Sequence, residues 1–397
     1  MNDELQRVTD ELERWLREDV LPFWADSGTD LVDGGFFERI AEDGAPTAEP
    51  RRSRVVARQI YVFATAMRHG WIESASERVD HGLTFLFDRI QLPSGMFATS
   101  VEVAGTPVNA EFALYEHAFV LFALAAAYRA KPERKDLPRE ASLLLQRMRN
   151  GWAHPMGGFN ESQPPIAPLQ SNPHMHLFEA MLEWTLADQG DLGTQCGKLA
   201  DEIAELCLAK MINPATGALH EYFDLDWQRR EDHAGSVIEP GHQFEWAWLL
   251  LRWGQWRARP DAIEAARRLA EIGENDGVDT RRGIAINELN ADLSVRSRDA
   301  KLWPQTERIK AWCAMAVQAS GNESMLARSK ANVTSAAMGL LEYSVGAQPG
   351  RWLEVCQADG TFSREPTRAS SLYHIVCAFD TLKTAVDQLS GTKRESV

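Results

Sequence analysis

Apolar residues recur along this chain with the 3.6-residue period of helices, in about twelve segments separated by short polar stretches. The spacing predicts helices over 2–23, 51–69, 71–90, 109–131, 136–150, 172–188, 192–211, 241–257, 260–273, 301–319, 323–345 and 367–390. These segments are of two kinds. The stretch 110–125 is apolar on nearly every side, as a helix enclosed by neighbours must be. Segments 136–150 and 260–273 instead carry Arg and Glu on one face, as helices with a wet side do.

A glycine-led, β-prone scrap recurs between helix pairs. It reads Gly34-Gly-Phe-Phe, Gly95-Met-Phe, Gly157-Gly-Phe, Gly217-Ala-Leu-His-Glu-Tyr-Phe, Gly283-Ile-Ala-Ile-Asn-Glu and Gly350-Arg-Trp-Leu-Glu-Val. Successive leading glycines lie 61, 62, 60, 66 and 67 residues apart, which is room for two helices and a loop. Six such units bury their apolar faces only against one another. An open array would need polar capping units at both ends, and neither terminal unit has that character. A closed all-α ring of six helix pairs follows, with short β-hairpins gathered on one face. No Pro/Gly/Ser linker interrupts it, so residues 1–397 are expected to form a single domain.

Composition narrows the partners. A formal net charge of −15 with no basic block argues against nucleic acid, which needs clustered Lys and Arg. No stretch approaches the ~18 apolar residues of a membrane span, and the charged N-terminus lacks a secretory apolar region. Five scattered cysteines without a CxxC read as reduced thiols, and a cytoplasmic location is expected. Thirteen tryptophans are unusual and point to a ligand that stacks on aromatics, such as a sugar face.

Candidate chemistry centres on histidine. In Asn172-Pro-His-Met-His176, Asn172 can cap a helix with Pro173 in its first turn. His174 and His176 point in different directions there, and Glu179 shares a face with His176. In Glu239-Pro-Gly-His-Gln-Phe-Glu245, His242 and Glu245 stand at i and i+3, and a carboxylate beside an imidazole raises its pKa. His374, in Ser370-Ser-Leu-Tyr-His374, sits near a helix start that would keep its ring neutral. Arg58, Tyr115 and His117 interrupt apolar helices, and Glu307 lies one turn into another. Each residue alone has a structural reading as a satisfied core group or ion pair. One polar group per inner helix, all near the same helix end, describes a central pocket better than a core. No dinucleotide, NTP or serine-hydrolase motif occurs.

The ordered set Ala57-Arg-Gln59, Tyr115-Glu-His-Ala-Phe119, Asn172–His176, Pro240–Glu245, Leu302-Trp-Pro-Gln-Thr-Glu307 and Leu372-Tyr-His374 resembles the N-acylglucosamine 2-epimerase superfamily. The resemblance implies an (α/α)6 barrel. It also implies acid/base work by His242 and His374, with Arg58, Tyr115, Asn172, His176, Glu245 and Glu307 binding the sugar or orienting the histidines. Leu302–Arg308 looks more like the mannose-isomerase branch. The implied activity is metal- and cofactor-independent interconversion of D-mannose and D-fructose through a cis-enediolate. A sugar 2-epimerase shares that intermediate and is the alternative reading. The remaining alternatives are a metal enzyme using His174, His176, His242 and Glu245, and a non-catalytic sugar-binding toroid. The expected partner is a monosaccharide, with no membrane or nucleic acid, and the superfamily includes monomers and homodimers. Only Arg58 among the motif residues is a fixed cation, so phosphorylated sugars are expected to be poor substrates.

Overall fold

In the computed structural model, residues 3–319 and 321–391 are described. Residue 2 of the first helical segment and the ends of the 1–397 unit lie outside them. The first helix, α1, runs Asp3–Arg14 and continues through the π-helical stretch Trp15–Val20 into Leu21–Asp26. Six inner helices follow a common direction: α2 (Ser53–His69), α4 (Leu114–Ala130), α6 (Ser171–Ala187), α8 (Pro240–Trp256), α10 (Trp303–Gln318) and α12 (Ala369–Leu389). The outer helices are α3 (Ala75–Phe85, extended by Leu86–Ile90), α5 (Asp136–Trp152), α7 (Asp191–Leu206, extended by Cys207–Met211), α9 (Pro260–Asn275) and α11 (Glu323–Leu341). With α1 as the sixth outer member they make the (α/α)6 barrel.

Starts shift by up to five residues from the periodicity. Helix α4 begins at Leu114 rather than 109 because Pro107–Asn109 is a strand paired with Ser100–Val101. Helix α3 begins at Ala75 because Gly70, at φ 63°, ends α2 and the chain then turns.

The ring closes through its two ends. Helix α12 packs back on α2, and α1 lies against α11 and α12. Strand Arg39–Ile40 pairs antiparallel with Thr367–Arg368. The Trp24 indole stacks on Trp352 at 5.4 Å and donates to the Gly350 carbonyl at 3.0 Å.

The sequence repeat has a plain physical basis. Each leading glycine takes a left-handed turn, with φ from 69° to 102°, that returns the chain antiparallel on itself. The bridges are Thr29 to Phe36, Gln91 to Phe97, Ala153 to Phe159, Ile212 to Leu219, and Val278 to Ala285. Four of these hairpins are then fastened to the head of an inner helix. The Phe97 and Phe159 amides donate to His117 Nε2 (3.2 Å) and His174 Nε2 (3.1 Å). Those of Leu219 and Ala285 donate to Gln243 Oε1 (2.9 Å) and Gln305 Oε1 (2.7 Å). Both histidines donate Nδ1–H to a backbone carbonyl at 2.8 Å, so each ring is a neutral, fully used spacer. Burial holds both near pKa 4.

Candidate active site

A cavity of about 360 Å³ opens at the mouth formed by the inner-helix N-terminal ends. Every inner helix contributes to it: Arg58 from α2, Tyr115 from α4, Asn172 and His176 from α6, His242 and Glu245 from α8, Trp303 from α10, and His374 from α12. Seven of the eight predicted site residues therefore line one space. The eighth, Glu307, is fully buried behind His374 rather than facing the cavity, because His374 and Lys310 occupy its oxygens.

Arg58 is 5% exposed and spans the wall. Its Nη2 donates to Tyr115 Oη at 2.8 Å and its Nη1 to the Ser370 carbonyl at 3.1 Å, with the guanidinium over Phe119 at 4.1 Å. Among the described residues no carboxylate bonds it, which leaves a buried cation facing a polar cavity. Asn172 does not cap α6: the capping position is Gln170, and Asn172 Oδ1 is buried in the cavity wall without a hydrogen bond. His176 Nδ1 lies 3.2 Å from Glu179 Oε2, which also accepts from Tyr373 Oη at 2.5 Å.

The partner expected for His242 is also corrected. Its Nδ1 donates to Glu221 Oε2 at 2.9 Å, while Glu245 faces His176 (3.9 Å) and Lys310 (3.7 Å) instead. Glu221 comes from the hairpin after α7, so three-residue helical spacing could not reveal it. A signal existed in the repeat, since Glu38, Glu161, Glu221 and Glu354 all stand four residues after a leading glycine. Glu38, Glu161 and Glu354 clamp a backbone N–H at the head of an inner helix. Glu221 holds the His242 ring there instead. His374 Nδ1 has its own carboxylate, Glu307 Oε1 at 2.8 Å.

The surroundings push the two histidines in opposite directions. Burial alone would depress His242, but Glu221, Glu239 and Glu245 outweigh it and push the ring up to about 10. Burial and the cations Arg58 and Lys310 hold His374 well below the usual imidazole range. The expected neutrality of His374 is thus present, through burial and nearby cations; it lies a turn and a half into α12. At neutral pH the site holds one imidazolium with a proton to give and one imidazole whose Nε2 can take one.

Trp303 lies between them, its ring 5.0 Å from His242 and 5.9 Å from His374. The sequence marks it only as part of a motif, yet among the described residues it is the tryptophan that lines this cavity. Seven others are fully buried packing, and Trp248 lines a second cavity at the opposite mouth. Gly241 makes the seat for Trp303, because a Cβ there would fall 2.4 Å from the indole.

His174, whose nitrogens fasten a hairpin, cannot join a metal set with His176, His242 and Glu245. The ligand-capable groups divide instead into His176, Glu179 and Glu245, and Glu221, Glu239 and His242. The first of these has Lys310 against it, a cation that competes with a metal ion for the same carboxylates.

A sequence model of the N-acylglucosamine 2-epimerase (GlcNAc 2-epimerase) family matches residues 35–378. The chain belongs to that family. It is 41% identical over 381 residues to a mannose-6-phosphate isomerase of Rhizobium meliloti, covering 96% of this chain and 97% of the relative. A D-mannose isomerase of Thermobifida fusca is 29% identical, over 70% of this chain and 72% of its own. Among solved structures, a cellobiose 2-epimerase of Spirochaeta thermophila superposes with a TM-score of 0.85 at 22% identity, covering 98% and 99% of the two chains. That likeness speaks for the fold. As an N-acylglucosamine 2-epimerase family member the protein is a sugar isomerase or epimerase. No helix among its described residues is long and apolar enough to cross a membrane.

Proposed function

We propose that this protein interconverts D-mannose and D-fructose without a metal, the whole toroid acting as one catalytic unit. The observation that carries the reading is the pairing of a cationic His242 with a neutral His374 across one polar cavity. In this scheme the His242 imidazolium protonates the ring oxygen while the anomeric hydroxyl passes its proton to water at the open mouth, so the sugar opens and His242 regains its proton from that water. His374 Nε2 then takes the C2 proton, and the electron pair of that bond forms the C1–C2 double bond while the aldehyde oxygen becomes anionic. Arg58, itself buried in the cavity wall, offsets that developing charge. The hydroxyl proton moves from O2 to O1, His374 returns its proton to C1, and O2 becomes the ketone. Trp303 supplies a flat apolar face for the sugar between the two histidines. Five free, buried cysteines support action in a reducing compartment, the cytoplasm.

The deciding assay is mannose with EDTA-treated protein, followed for its first product. Fructose supports the proposal, whereas glucose makes the protein a 2-epimerase using the same enediolate. Activity lost on chelation and restored by a divalent ion would overturn metal independence.

A second reading takes mannose 6-phosphate as substrate. It is favoured by the name of the 41% identical relative and by Lys301 and Arg368, two cations at the cavity rim that the motifs did not include. Glu239 and Glu354 share that rim, and Arg368 Nη2 is paired to Glu365 at 2.5 Å, so little positive charge is left over. For that reason mannose itself leads. A higher kcat/KM for the phosphate ester than for mannose would reverse the order.

A further inference from the structure

Beneath the cavity floor lies a charge that faces neither mouth of the barrel. Lys310, on α10, has no solvent exposure at all. Its Nζ sits 2.5 Å from Glu307 Oε2 and 3.7 Å from Glu245 Oε1, and 4.1 Å over the ring of Trp248. A lysine so placed would shed its proton unless carboxylates held it. Here they do, since burial is outweighed by Glu307, Glu245 and Glu179, with the Cys377 thiol beside them, and the ammonium is retained.

Glu307 uses its two oxygens for two different things. One meets Lys310, and the other receives His374 Nδ1–H. We propose that Lys310 is a positioning residue for proton transfer at C2: it keeps Glu307 ionised, so that Glu307 holds His374 in the tautomer whose Nε2 is free. This rests on the reading of His374 as the base. The need for such a cation follows from crowding. Glu179 and His176 from α6, Glu245 and His242 from α8, and Tyr373, His374 and Cys377 from α12 surround the same spot, with Arg58 of α2 beyond His374. Burial pushes Glu307 up to about 7 even with Lys310 against it, and Glu179 adds to the rise. Without Lys310 the rise would go further, and Glu307 would keep its proton well above neutrality. A neutral carboxylic acid can offer its own O–H to Nδ1, which turns the imidazole over to the other tautomer and ties up the basic lone pair.

The sign is fixed by this arrangement. The working form has Glu307 ionised, so activity falls as pH drops through its pKa, and removing Lys310 moves that fall to higher pH. In Lys310→Met, C2–H exchange in heavy water should drop ~5–50-fold at pH 7 and recover towards pH 9, with the acid limb displaced by about one to two units. KM should stay within about threefold, and ¹⁵N spectra should show His374 passing from a single Nδ1–H tautomer to a mixture. A uniform loss with the wild-type pH profile and an unchanged tautomer would overturn the proposal. Because one buried partner left alone can unfold the protein, the double variant Glu307→Gln/Lys310→Met, which leaves neither charge, is the second test. It should exchange C2–H no more slowly than Glu307→Gln, and a further loss beyond about fivefold would mean that Lys310 acts elsewhere. Unimpaired exchange in His374→Asn would instead strike at the reading of His374, whatever Lys310 does.

Discussion

His242 and His374 sit at the heads of two inner helices, each with a carboxylate on Nδ1, and yet their proton affinities are shifted in opposite directions. The carboxylate in direct contact does not decide the matter, since both have one at 2.8–2.9 Å. The next layer does. Behind His242 stand Glu221 and Glu239 with Glu245 nearby, an excess of negative charge that keeps the ring protonated. Behind His374, Glu307 is already answered by Lys310, and Arg58 adds a second cation, so burial prevails and the ring is neutral. A pair of similar hydrogen bonds thus yields an acid and a base because the surrounding charge differs by several groups.

Substitutions sharpen or break this contrast. The largest effect is expected at His374: Asn or Ala there should abolish isomerisation and C2–H exchange together, a loss of at least ~10³-fold, as the proposed scheme gives the C2 proton to this ring alone. NMR in heavy water reads it directly, and near-wild-type exchange would remove His374 from the role. His242→Ala should cost ~10²-fold in turnover of cyclic mannose while sparing more of the exchange on the open-chain sugar. If that variant loses exchange and the His374 variants keep it, the two roles are reversed. A milder test is Glu221→Gln, which leaves the imidazole but removes its nearest negative charge. The acid form of His242 is the working one, so activity falls as pH rises through its pKa, near 10 in the wild type. In the variant that alkaline limb should move down by about one to two units in a kcat/KM profile. The smallest effect belongs to His174→Gln, which copies the hairpin anchor that Gln243 and Gln305 already use. Its kcat should stay within about twofold of wild type and its melting temperature within about 3 °C.

The histidines also show what a sequence can disclose. The ring of helix pairs is legible because both of its signals are local, the 3.6-residue period and the turn glycine every sixty-odd residues. His176, His242 and His374 are legible because polar residues stand out on enclosed helices. Yet His117 and His174 stand out equally and turn out to fasten hairpins, so polarity alone does not separate catalysis from construction. Register does, since both anchors are the fourth residue of their helix, as Gln243 is of α8. Glu221 was hidden by distance, lying 21 residues before the ring it holds and in another element. Lys310 was hidden by context: three residues after Glu307 it reads as an ordinary helix ion pair, and only the folded barrel reveals that both charges are sealed from water.

The junction where α1 meets α11 and α12 has a bearing on how the protein is made. Trp24 waits for Gly350, a partner 326 residues later, and the buried stripe Leu5, Val8, Leu12 and Leu16 waits with it. At translation speeds of about 5–20 residues per second, that interval is on the order of 20–70 s. Through this time the nascent chain carries an oily N-terminal helix with nothing to cover it, and a half-built barrel with an open flank. A second nascent chain could offer the same flank, so crowded polysomes are where this fold is most exposed to domain swapping and chaperone capture.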